Sequence, residues 1–560
     1  MAISAQRIQR DIEAIARCTQ TPGAGATRPT FSPQWAAAVQ YVREQLQNAG
    51  CETRFDAAGN LHARPKKLGW EKKAWLCGSH LDTVPHGGDY DGVAGVVVAL
   101  ELLRSAAEDG VGELPLELIV FAEEEGTTFG LGMIGSRAMV GELNAGQLGY
   151  LRNEAGESYL DAGKHFGVDP SQLATDLSNL LGLIEVHIEQ GPGMWQRDER
   201  LAIVSAIAGR RQYQVNLAGR ANHAGATAMG ERHDALAGAA RIIVALEEMA
   251  NNIFQATVIT VGRLFNHPNA INVIPDRVEF TVDWRAPNDV LLESGDARLR
   301  QIISKVCADR GLECEIKQTE SIAACPMDAR LGKRFGNLPA VVSGALHDSA
   351  VLAKHLPTAM LFVPSRDGIS HHPAEFSRGE DIAAAASAVE RLVRSPTLCQ
   401  LNQSSEEQFV AACGGFFEHS PWIAKRAWQK RPFASAADLH EKLCGVVASA
   451  SDEEQLALIN AHPDLAARMK LTRESAGEQA AAGLTALSAE EMDRFQRCNA
   501  AYREKFGFPF VICARENRKE AILAAFPIRL ANNWQQEIAT ALGEIYKIAR
   551  LRLADAVWED

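Results

Sequence analysis

The chain has 560 residues, of which 46% are hydrophobic and 23% charged, and its formal net charge is −13. This composition is typical of a globular protein and excludes a disordered or fibrous chain. The acidic balance provides no bulk positive field, so we expect no nucleic acid and no membrane surface as partner, whereas local arginines can still hold a small anionic substrate. A domain usually takes about 100–200 residues, so the length predicts three or four folding units.

Hydropathy and cysteine usage predict a soluble cytoplasmic protein. The longest apolar stretch, residues 93–103, contains Glu101 and is far shorter than a membrane span of about 20 residues. The N-terminal sequence has the pattern of a polar amphipathic helix without a signal-peptide core. None of the eleven cysteines forms a CxxC pair, which favours reduced thiols.

Up to about residue 396, short apolar runs alternate with helical stretches, as they do in α/β domains. We predict strands at residues 74–81, 116–122, 183–188 and 358–363, each followed by polar or glycine-rich residues at its carboxyl end. Between about residues 205 and 320 apolar and polar positions alternate around a helix at 233–251, which predicts an inserted α+β module with half-exposed antiparallel strands.

A polar segment without periodicity, residues 395–407, predicts a linker, and the sequence beyond it has only helical patterns. The predicted organisation therefore has four parts. They are a catalytic α/β domain at residues 1–205 and 325–396, an inserted α+β domain at 206–324, a linker at 397–407 and an all-α domain at 408–560.

The string GSHLDTVPHGGDYDG places His80 and Asp82 at the end of a predicted strand and Asp91 in the glycine-rich loop that follows. Imidazole and carboxylate groups in this arrangement suit a divalent metal, and Asp91 could bridge two ions. Asp82 would lie on the same side of the strand as His80 and could orient its imidazole. An N-capping aspartate and a surface histidine are the alternative.

Three further strand ends carry similar groups. AEEEG ends the second strand, and its adjacent carboxylates repel one another unless cations compensate, which favours one ligand plus one general base over a solvated acidic turn. EVHIEQGP supplies His187 and Gln190, and LFVPSRDGISHHPAE supplies His371 or His372. Such groups at four strand ends predict a metal centre.

The motifs GSHLDTVP, EEEG, EVHIEQGP and GISHHPAE, in this order, resemble the dinuclear-metal amidohydrolase branch of the M20 peptidase family over about residues 1–400. The resemblance implies an α/β metal-dependent exopeptidase-like catalytic domain with an inserted α+β dimerisation domain. It also implies two divalent ions, such as manganese or zinc, with Asp91 bridging. The implied ligands are His80, Asp91, Glu125, His187 and His371.

The same resemblance implies the remaining roles at this site. Glu124 would be the general base, and His223 of ANHAGATAM would reach into the partner subunit's site of a homodimer. Asn272 and Arg285 would bind the carboxylate of a small anionic ureido substrate, which suits a guanidinium that can donate two parallel hydrogen bonds, and Gln190 would also contact substrate. A loop histidine and an exposed strand arginine are the alternatives for His223 and Arg285.

The C-terminal strings GGFFEHSPWIAKRAW, INAHPDL, ESAGEQAAAGL and NAAYREKFGFPFVICAR resemble the OHCU decarboxylase family over residues 404–560. OHCU is a ureidoimidazoline carboxylate formed during urate breakdown. The resemblance implies an all-helical domain without a cofactor, in which His462 and Glu478 are the catalytic pair and Ser475 and Arg552 bind substrate. From the residues alone, helix capping is the alternative for His462, Ser475 and Glu478.

Together the two resemblances predict a bifunctional enzyme of purine catabolism. Its N-terminal part would hydrolyse allantoate to ureidoglycine, ammonia and carbon dioxide, and its C-terminal part would decarboxylate OHCU to (S)-allantoin. Ureidoglycolate or an N-carbamoyl-L-amino acid is the alternative N-terminal substrate, and a non-catalytic assembly module is the alternative C-terminal role. A binding protein with vestigial metal residues is a further alternative, against which the intact Glu124 argues.

Overall fold

The computed structural model describes residues 3–109, 114–252, 254, 257–465, 475, 478, 482, 484 and 487–558. The chain divides into two compact units, Met1–Val393 and Arg394–Asp560. Within the described residues, no helix combines the length and the apolar character needed to cross a membrane.

All described strands belong to the first unit. They are β1 Cys51–Phe55, β2 Leu61–Pro65, β3 Ala74–His80, β4 Leu116–Phe121, β5 Leu180–Ile188, β6 Ala202–Ile207, β7 Gly209–Ala218, β8 Val258–Thr260, β9 Leu264–His267, β10 Arg277–Ala286, β11 Glu313–Ile322, β12 Cys325–Pro326, β13 Ala340–Ser343 and β14 Thr358–Val363.

The helices of the first unit are α1 Ala5–Ala16, α2 Pro33–Asn48, α3 Val93–Asp109, α4 Ile134–Met139, α5 Ala145–Tyr150, α6 Tyr159–Ala162, α7 Gly193–Gln196, α8 Ala235–Asn252, α9 Asp289–Arg310, α10 Ala329–Lys333, α11 Asp348–Leu352 and α12 Gly379–Val393. Those of the second unit are α13 Leu398–Gln403, α14 Glu406–Cys413, α15 Pro421–Trp428, α16 Ala436–Ala448, α17 Asp452–Asn460, α18 Ala489–Phe506, α19 Lys519–Leu530 and α20 Trp534–Ala556.

The larger sheet has nine strands in the order β1-β2-β4-β3-β5-β14-β6-β12, with β13 paired to β6. The four strands predicted from the sequence, β3, β4, β5 and β14, lie side by side in it and run parallel. Their continuous apolar runs are almost completely buried. Because parallel strands end at the same edge of a sheet, the polar residues after them converge, and the predicted α/β fold is confirmed.

A separate antiparallel sheet of five strands, in the order β11-β7-β10-β8 with β9 also paired to β10, lies within the predicted insertion. Tyr213, Val215 and Leu217 of β7 point into a core with the buried faces of α8 and α9, while the residues between them face the other way. This alternation leaves one polar face on the sheet. The limits of the insertion at residues 206–324 remain a prediction.

The described part of the second unit is helical, as predicted, and its helices pack around one apolar core. The segment predicted as a linker, residues 397–407, is partly helical, because α13 lies within it and α14 begins in it. Thr397 accepts a hydrogen bond from the backbone N–H of Gln400, and Gln400 reciprocates, which is a capping box. Because the capping box stabilises this short polar helix, the sequence needs no hydrophobic periodicity there, and none predicted the helix.

Candidate active sites

The first candidate site lies where the parallel strands end. His80 is the last residue of β3, His187 is the penultimate residue of β5, and the acidic run begins two residues after the end of β4. The loop after β14 delivers His371, whose backbone adopts a left-handed conformation with φ 54°. The fold therefore brings together residues that are almost 300 positions apart in the chain.

Three groups of described side chains at this edge have the composition of metal sites, one of them Glu185, His187 and His347, and the other two share Asp91. His80, Asp91 and His187 form one trio and Asp91, Glu125 and His371 the other, with candidate ligand atoms within 4.8 Å of one another in each. The shared Asp91 directs Oδ1 at Nε2 of His187 (3.1 Å) and Oδ2 towards Nε2 of His371 (3.5 Å). All five residues predicted as metal ligands thus lie together, and both trios share Asp91.

The orientation of the imidazoles fits a cation. Nδ1 of His80 lies 3.0 Å from the carbonyl oxygen of Asp82, and Nδ1 of His187 lies 3.0 Å from that of Ile188. If each Nδ1–H donates there, each Nε2 carries a lone pair on the side of Asp91, as metal-binding histidines do; that of His187 accepts a long hydrogen bond from the Gly92 N–H at 3.3 Å. Nε2 of His80 is buried and makes no hydrogen bond within the described residues, so it lacks the partner that a divalent ion would provide.

Asp82 contributes differently from the prediction that its carboxylate orients His80. The carboxylate Oδ1 is 3.8 Å from the imidazole, whereas the backbone carbonyl is within hydrogen-bond distance. Oδ2 instead accepts a hydrogen bond from the backbone N–H of Glu125 at 3.0 Å. The Asp82 side chain therefore positions a residue of the second trio, and its carbonyl positions one of the first.

The loop that carries Asp91 is positioned by hydrogen bonds from its backbone and by close packing against His80. Glu375 accepts a hydrogen bond from the Asp91 N–H at 3.0 Å. Gly92 follows with φ 66°, and a Cβ atom there would lie 2.5 Å from the imidazole of His80. The loop thus approaches the first trio so closely that only glycine fits.

The three adjacent glutamates after β4 do not share one role. Glu123 has φ 58° and is buried, and its carboxylate accepts hydrogen bonds from the backbone N–H groups of Thr128 and Phe129, both at 2.8 Å. Glu124 and Glu125 instead line the cavity beside the trios. The left-handed turn therefore separates one structural carboxylate from two that face the site.

The pKa shifts at this site are also those expected of a cluster of carboxylates and imidazoles that binds a cation. Burial raises the pKa of Glu124 well above its usual value; His80 opposes this, while Glu125 and Asp348 add to it. Burial also opposes ionisation of Asp91, but the imidazoles of the two trios hold its pKa well below the usual range. A cation in either trio would favour the ionised form of Glu124, the form that a general base requires.

A cavity of about 430 Å³ joins this edge to the second sheet. Gln190 and Arg285, both predicted to contact substrate, line it. Gln190 donates a hydrogen bond from Nε2 to Oδ2 of Asp91 at 2.7 Å, and Arg285 is held by Asp283 at 2.8 Å and by the carbonyl of Gly344 at 2.6 Å. Arg285 lies on the polar face of β10, as its alternating sequence predicted.

Asn272, predicted to bind substrate, and His223, predicted to act in the partner subunit's site, lie elsewhere. His223 and Asn272 are exposed and are not among the residues that line this cavity. They are neighbours, because His223 pairs with Val273 in an isolated bridge and the backbone N–H of Ala224 donates to the carbonyl of Asn272 at 3.0 Å. Within one chain the fold therefore does not bring them to the metal trios.

Sequence reasoning missed His347, which also lines the cavity. It precedes α11 and is buried; its ring lies 4.4 Å from that of His187, and its Nε2 is 2.9 Å from Oγ of Ser343. Burial, together with His187, lowers its pKa well below the usual value, so the imidazole is neutral. The only sequence signal for His347 was the string LHDSA, in which it directly precedes a short helix.

The second candidate site is a buried cluster centred on Arg552 of α20. Its guanidinium donates to both carboxylate oxygens of Glu478 (2.8 and 2.9 Å), to Glu418 (2.9 Å) and to Oγ of Ser475 (3.2 Å). Ser475 in turn donates to Glu418 at 3.0 Å. The structure therefore brings three predicted residues together and adds Glu418, which the sequence offered only as an acidic residue within the apolar string GGFFEHSPW.

His462, the remaining predicted residue, is also buried. Its Nδ1 donates to the carbonyl of Leu458 at 3.0 Å, and its Nε2 makes no hydrogen bond within the described residues. Burial lowers the pKa of His462 to about 4, with the nearby charges of Glu418 and Arg552 acting in opposite directions. A neutral imidazole with an unpaired nitrogen is thus available for proton transfer.

Comparison with protein families divides the chain in the same way. Residues 76–395 match the peptidase family M20/M25/M40, and residues 402–554 match OHCU decarboxylase. The M20 match spans more than half of the chain, and divalent metal ions are the rule in that family.

Individual relatives cover about two thirds of this chain and nearly all of their own length. The N-carbamoyl-L-amino-acid amidohydrolase of Paenarthrobacter aurescens is 35% identical, over 70% of this chain and 98% of its own length. The allantoate amidohydrolase of Bacillus subtilis is 34% identical, over 68% of this chain and 95% of its own. A crystal structure of an amidase of the hydantoinase/carbamoylase family from Burkholderia multivorans aligns with a TM-score of 0.64 at 30% identity, covering 70% of this chain and 97% of that chain.

Proposed function

Because the chain belongs to the M20/M25/M40 peptidase family and also carries an OHCU decarboxylase domain, we propose that it performs two steps of purine catabolism. It combines a hydrolase with a decarboxylase. The first unit would hydrolyse allantoate to ureidoglycine, ammonia and carbon dioxide, and the second would convert OHCU to (S)-allantoin. The observation that carries the hydrolase proposal is the pair of trios sharing Asp91 in one cavity with Arg285.

In the hydrolysis, each polar group of the first site has a distinct task. Two divalent ions, manganese or zinc, would when bound make a water more acidic and polarise the ureido carbonyl. Glu124 takes a proton from the attacking water and passes it to the nitrogen that leaves when the C–N bond breaks. Arg285 and Asn272 bind the substrate carboxylate, and Gln190 contacts the substrate beside Asp91. The released carbamate decomposes to ammonia and carbon dioxide.

We propose that this site is completed in a homodimer formed through the inserted domain. β8 is an edge strand, and exposed apolar side chains cluster in sequence near it, including Val258 at 57%, Phe265 at 54% and Ile271 at 103% exposure. A second copy that covers this surface would remove the edge from water. His223, which lies in the same domain and outside its own cavity, would then stabilise the developing oxyanion in the partner's site.

Trans-complementation tests the dimer. Glu124→Gln and His223→Asn chains should each be inactive on their own, and mixing them after dissociation should restore hydrolysis, because one site of each heterodimer is intact. Light scattering gives the mass of the assembly. A monomeric mass together with full activity of His223→Asn would contradict the proposal.

In the decarboxylation, Arg552 and Ser475 hold the substrate, and Glu478 and His462 handle its protons. The bond from the ring carbon to its carboxylate breaks and carbon dioxide leaves. The electron pair remains on the ring carbon, which takes up a proton with the help of His462. No metal is required, because Arg552 already supplies the positive charge in the cluster. We also place the enzyme in the cytoplasm, in agreement with its eleven free cysteines.

The decisive experiment compares substrates on the manganese-loaded full chain, with and without a chelator. We expect ammonia release from allantoate that the chelator abolishes, and carbon dioxide release from OHCU. Turnover of only an N-carbamoyl-L-amino acid would keep the hydrolytic mechanism and replace the substrate, an alternative supported by the similarity to the Paenarthrobacter aurescens enzyme. Turnover of no ureido compound would overturn the hydrolase proposal.

A further inference from the structure

A second arginine faces the hydrolytic cavity from the strand next to Arg285. In the antiparallel pairing of β7 with β10, Arg210 lies directly opposite Arg285, and both side chains line the cavity that holds the metal trios. Side chains directly opposite one another on a sheet have Cβ atoms about 5 Å apart, and like charges at such a position destabilise it. This placement therefore calls for negative charge nearby.

Each arginine has one carboxylate of its own, but the two are bound unequally. Arg285 donates to both oxygens of Asp283 (2.8 and 3.3 Å) and to the carbonyl of Gly344 (2.6 Å), so most of its donors are committed. Arg210 forms an ion pair with Glu320, from Nη2 to Oε2 at 2.6 Å. Its Nε is buried and makes no hydrogen bond within the described residues.

Glu320 is correspondingly weakly held. It belongs to β11, where it lies diagonally across from Arg210, whose direct partner is Ile322. Its side chain is 36% exposed, and Oε2, the atom paired with Arg210, is buried and makes no hydrogen bond within the described residues, so a ligand carboxylate that makes such bonds can replace it at little cost. Of the two arginines, Arg210 therefore has more N–H donors available for a ligand.

From this geometry we infer that Arg210 is a second substrate-binding residue, which grips the carboxylate of the ureido substrate together with Arg285, and that Glu320 is the internal counter-ion displaced by that carboxylate. The inference rests on the proposed hydrolysis of a ureido acid and specifies what the cavity recognises. A carboxylate held from two neighbouring strands is fixed in direction as well as in charge. Neutral ureas would lack this contact and bind poorly.

The test compares allantoate with its neutral carboxamide analogue on metal-loaded wild type and Arg210→Gln. We expect the variant to raise KM for allantoate at least tenfold, to change kcat less than threefold, and to leave KM for the carboxamide unchanged. Glu320→Gln should lower KM for allantoate, because Arg210 loses its competing partner. Arg211→Gln is the matched control, since Arg211 is the next residue of β7 and instead faces Asp296 of α9, at 3.9 Å.

Equal increases of KM for the acid and the carboxamide, or a KM for allantoate within twofold of the Arg211→Gln control, would overturn the role of Arg210. Calorimetric binding of allantoate separates this result from failure of the proposed reaction. If wild type binds allantoate without hydrolysing it and Arg210→Gln binds it at least tenfold more weakly, Arg210 keeps its role while allantoate hydrolysis is lost. If wild type binds no ureido acid, both proposals fail.

Discussion

The two candidate sites handle buried charge in opposite ways. At the strand ends of the first unit, carboxylates and imidazole nitrogens face a common space, and Nε2 of His80 has no hydrogen-bond partner within the described residues. In the second unit, Arg552 lies between Glu418 and Glu478, so the cluster contains its own cation, and His462 is neutral. On the proposed function, the first site takes its compensating positive charge from a bound ion, whereas in the second Arg552 supplies that charge.

Removal of metal ions should separate the two activities most strongly. A chelator should reduce hydrolysis of the ureido substrate to background, because the trios then lack the charge that activates water. Decarboxylation of OHCU by the same sample should remain within twofold of its original rate. Ammonia and carbon dioxide release measure the two reactions in parallel. Equal loss of both activities would contradict the comparison.

Within the first site, neighbouring glutamates should differ in effect. Glu124→Gln should lower kcat for hydrolysis by about 10²–10⁴-fold, the usual contribution of a general base, with metal content unchanged. Glu123→Gln should lower the free energy of unfolding by about 1–3 kcal/mol, because it weakens the side-chain acceptor of two backbone N–H groups, and it should lower kcat far less. Steady-state kinetics, metal analysis and urea unfolding give these values. The reverse order of kinetic effects would exchange the two roles.

In the second site, Glu418 positions Arg552 and Ser475 rather than reacting itself. Glu418→Gln keeps the shape but removes the charge that holds both partners, so we expect decarboxylation to fall about tenfold to a hundredfold. Hydrolysis by the first unit should not change. Glu441→Gln, an exposed position on α16, is the control. His462→Asn should abolish decarboxylation, and undiminished carbon dioxide release from that variant would remove His462 from the mechanism.

The pH dependence of stability provides the smallest and sharpest test. Burial lowers the pKa of His462 to about 4, below the ordinary value of about 6.5, so the unfolded chain takes up a proton first as the pH falls. Between pH 7 and pH 5, His462 should therefore lower the free energy of unfolding of the second unit by about 2 kcal/mol. Hydrogen exchange of peptides from α20 compares wild type with His462→Asn. An unchanged difference between them over this range would mean that His462 is not buried in its neutral form.

The sequence predicted those features that depend on a single strand or motif. Their apolar runs predicted the strands β3, β4, β5 and β14, and the polar residues after them predicted a site at one edge of the sheet. The structural role of Glu123 within the acidic run after β4 could not be predicted, because it depends on the left-handed backbone of that residue.

Residues whose role depends on a partner from another element were also missed. The proposed role of Arg210 depends on its register opposite Arg285. That of Glu418 depends on its contact with Arg552, 134 positions away. Neither pairing leaves a periodic or local signal in the chain. Asp82 was found for its side chain, although its backbone carbonyl is what contacts the imidazole.

The close approach of Gly92 to His80 has a consequence for how this protein tolerates change. A Cβ atom at position 92 would lie 2.5 Å from the ring, and the left-handed backbone there adds strain for any other residue. In a library of all single substitutions, position 92 should therefore rank with the residues of the two trios, although it contributes no side chain to the chemistry. At that position, intolerance to substitution would report how little space surrounds the imidazole of His80.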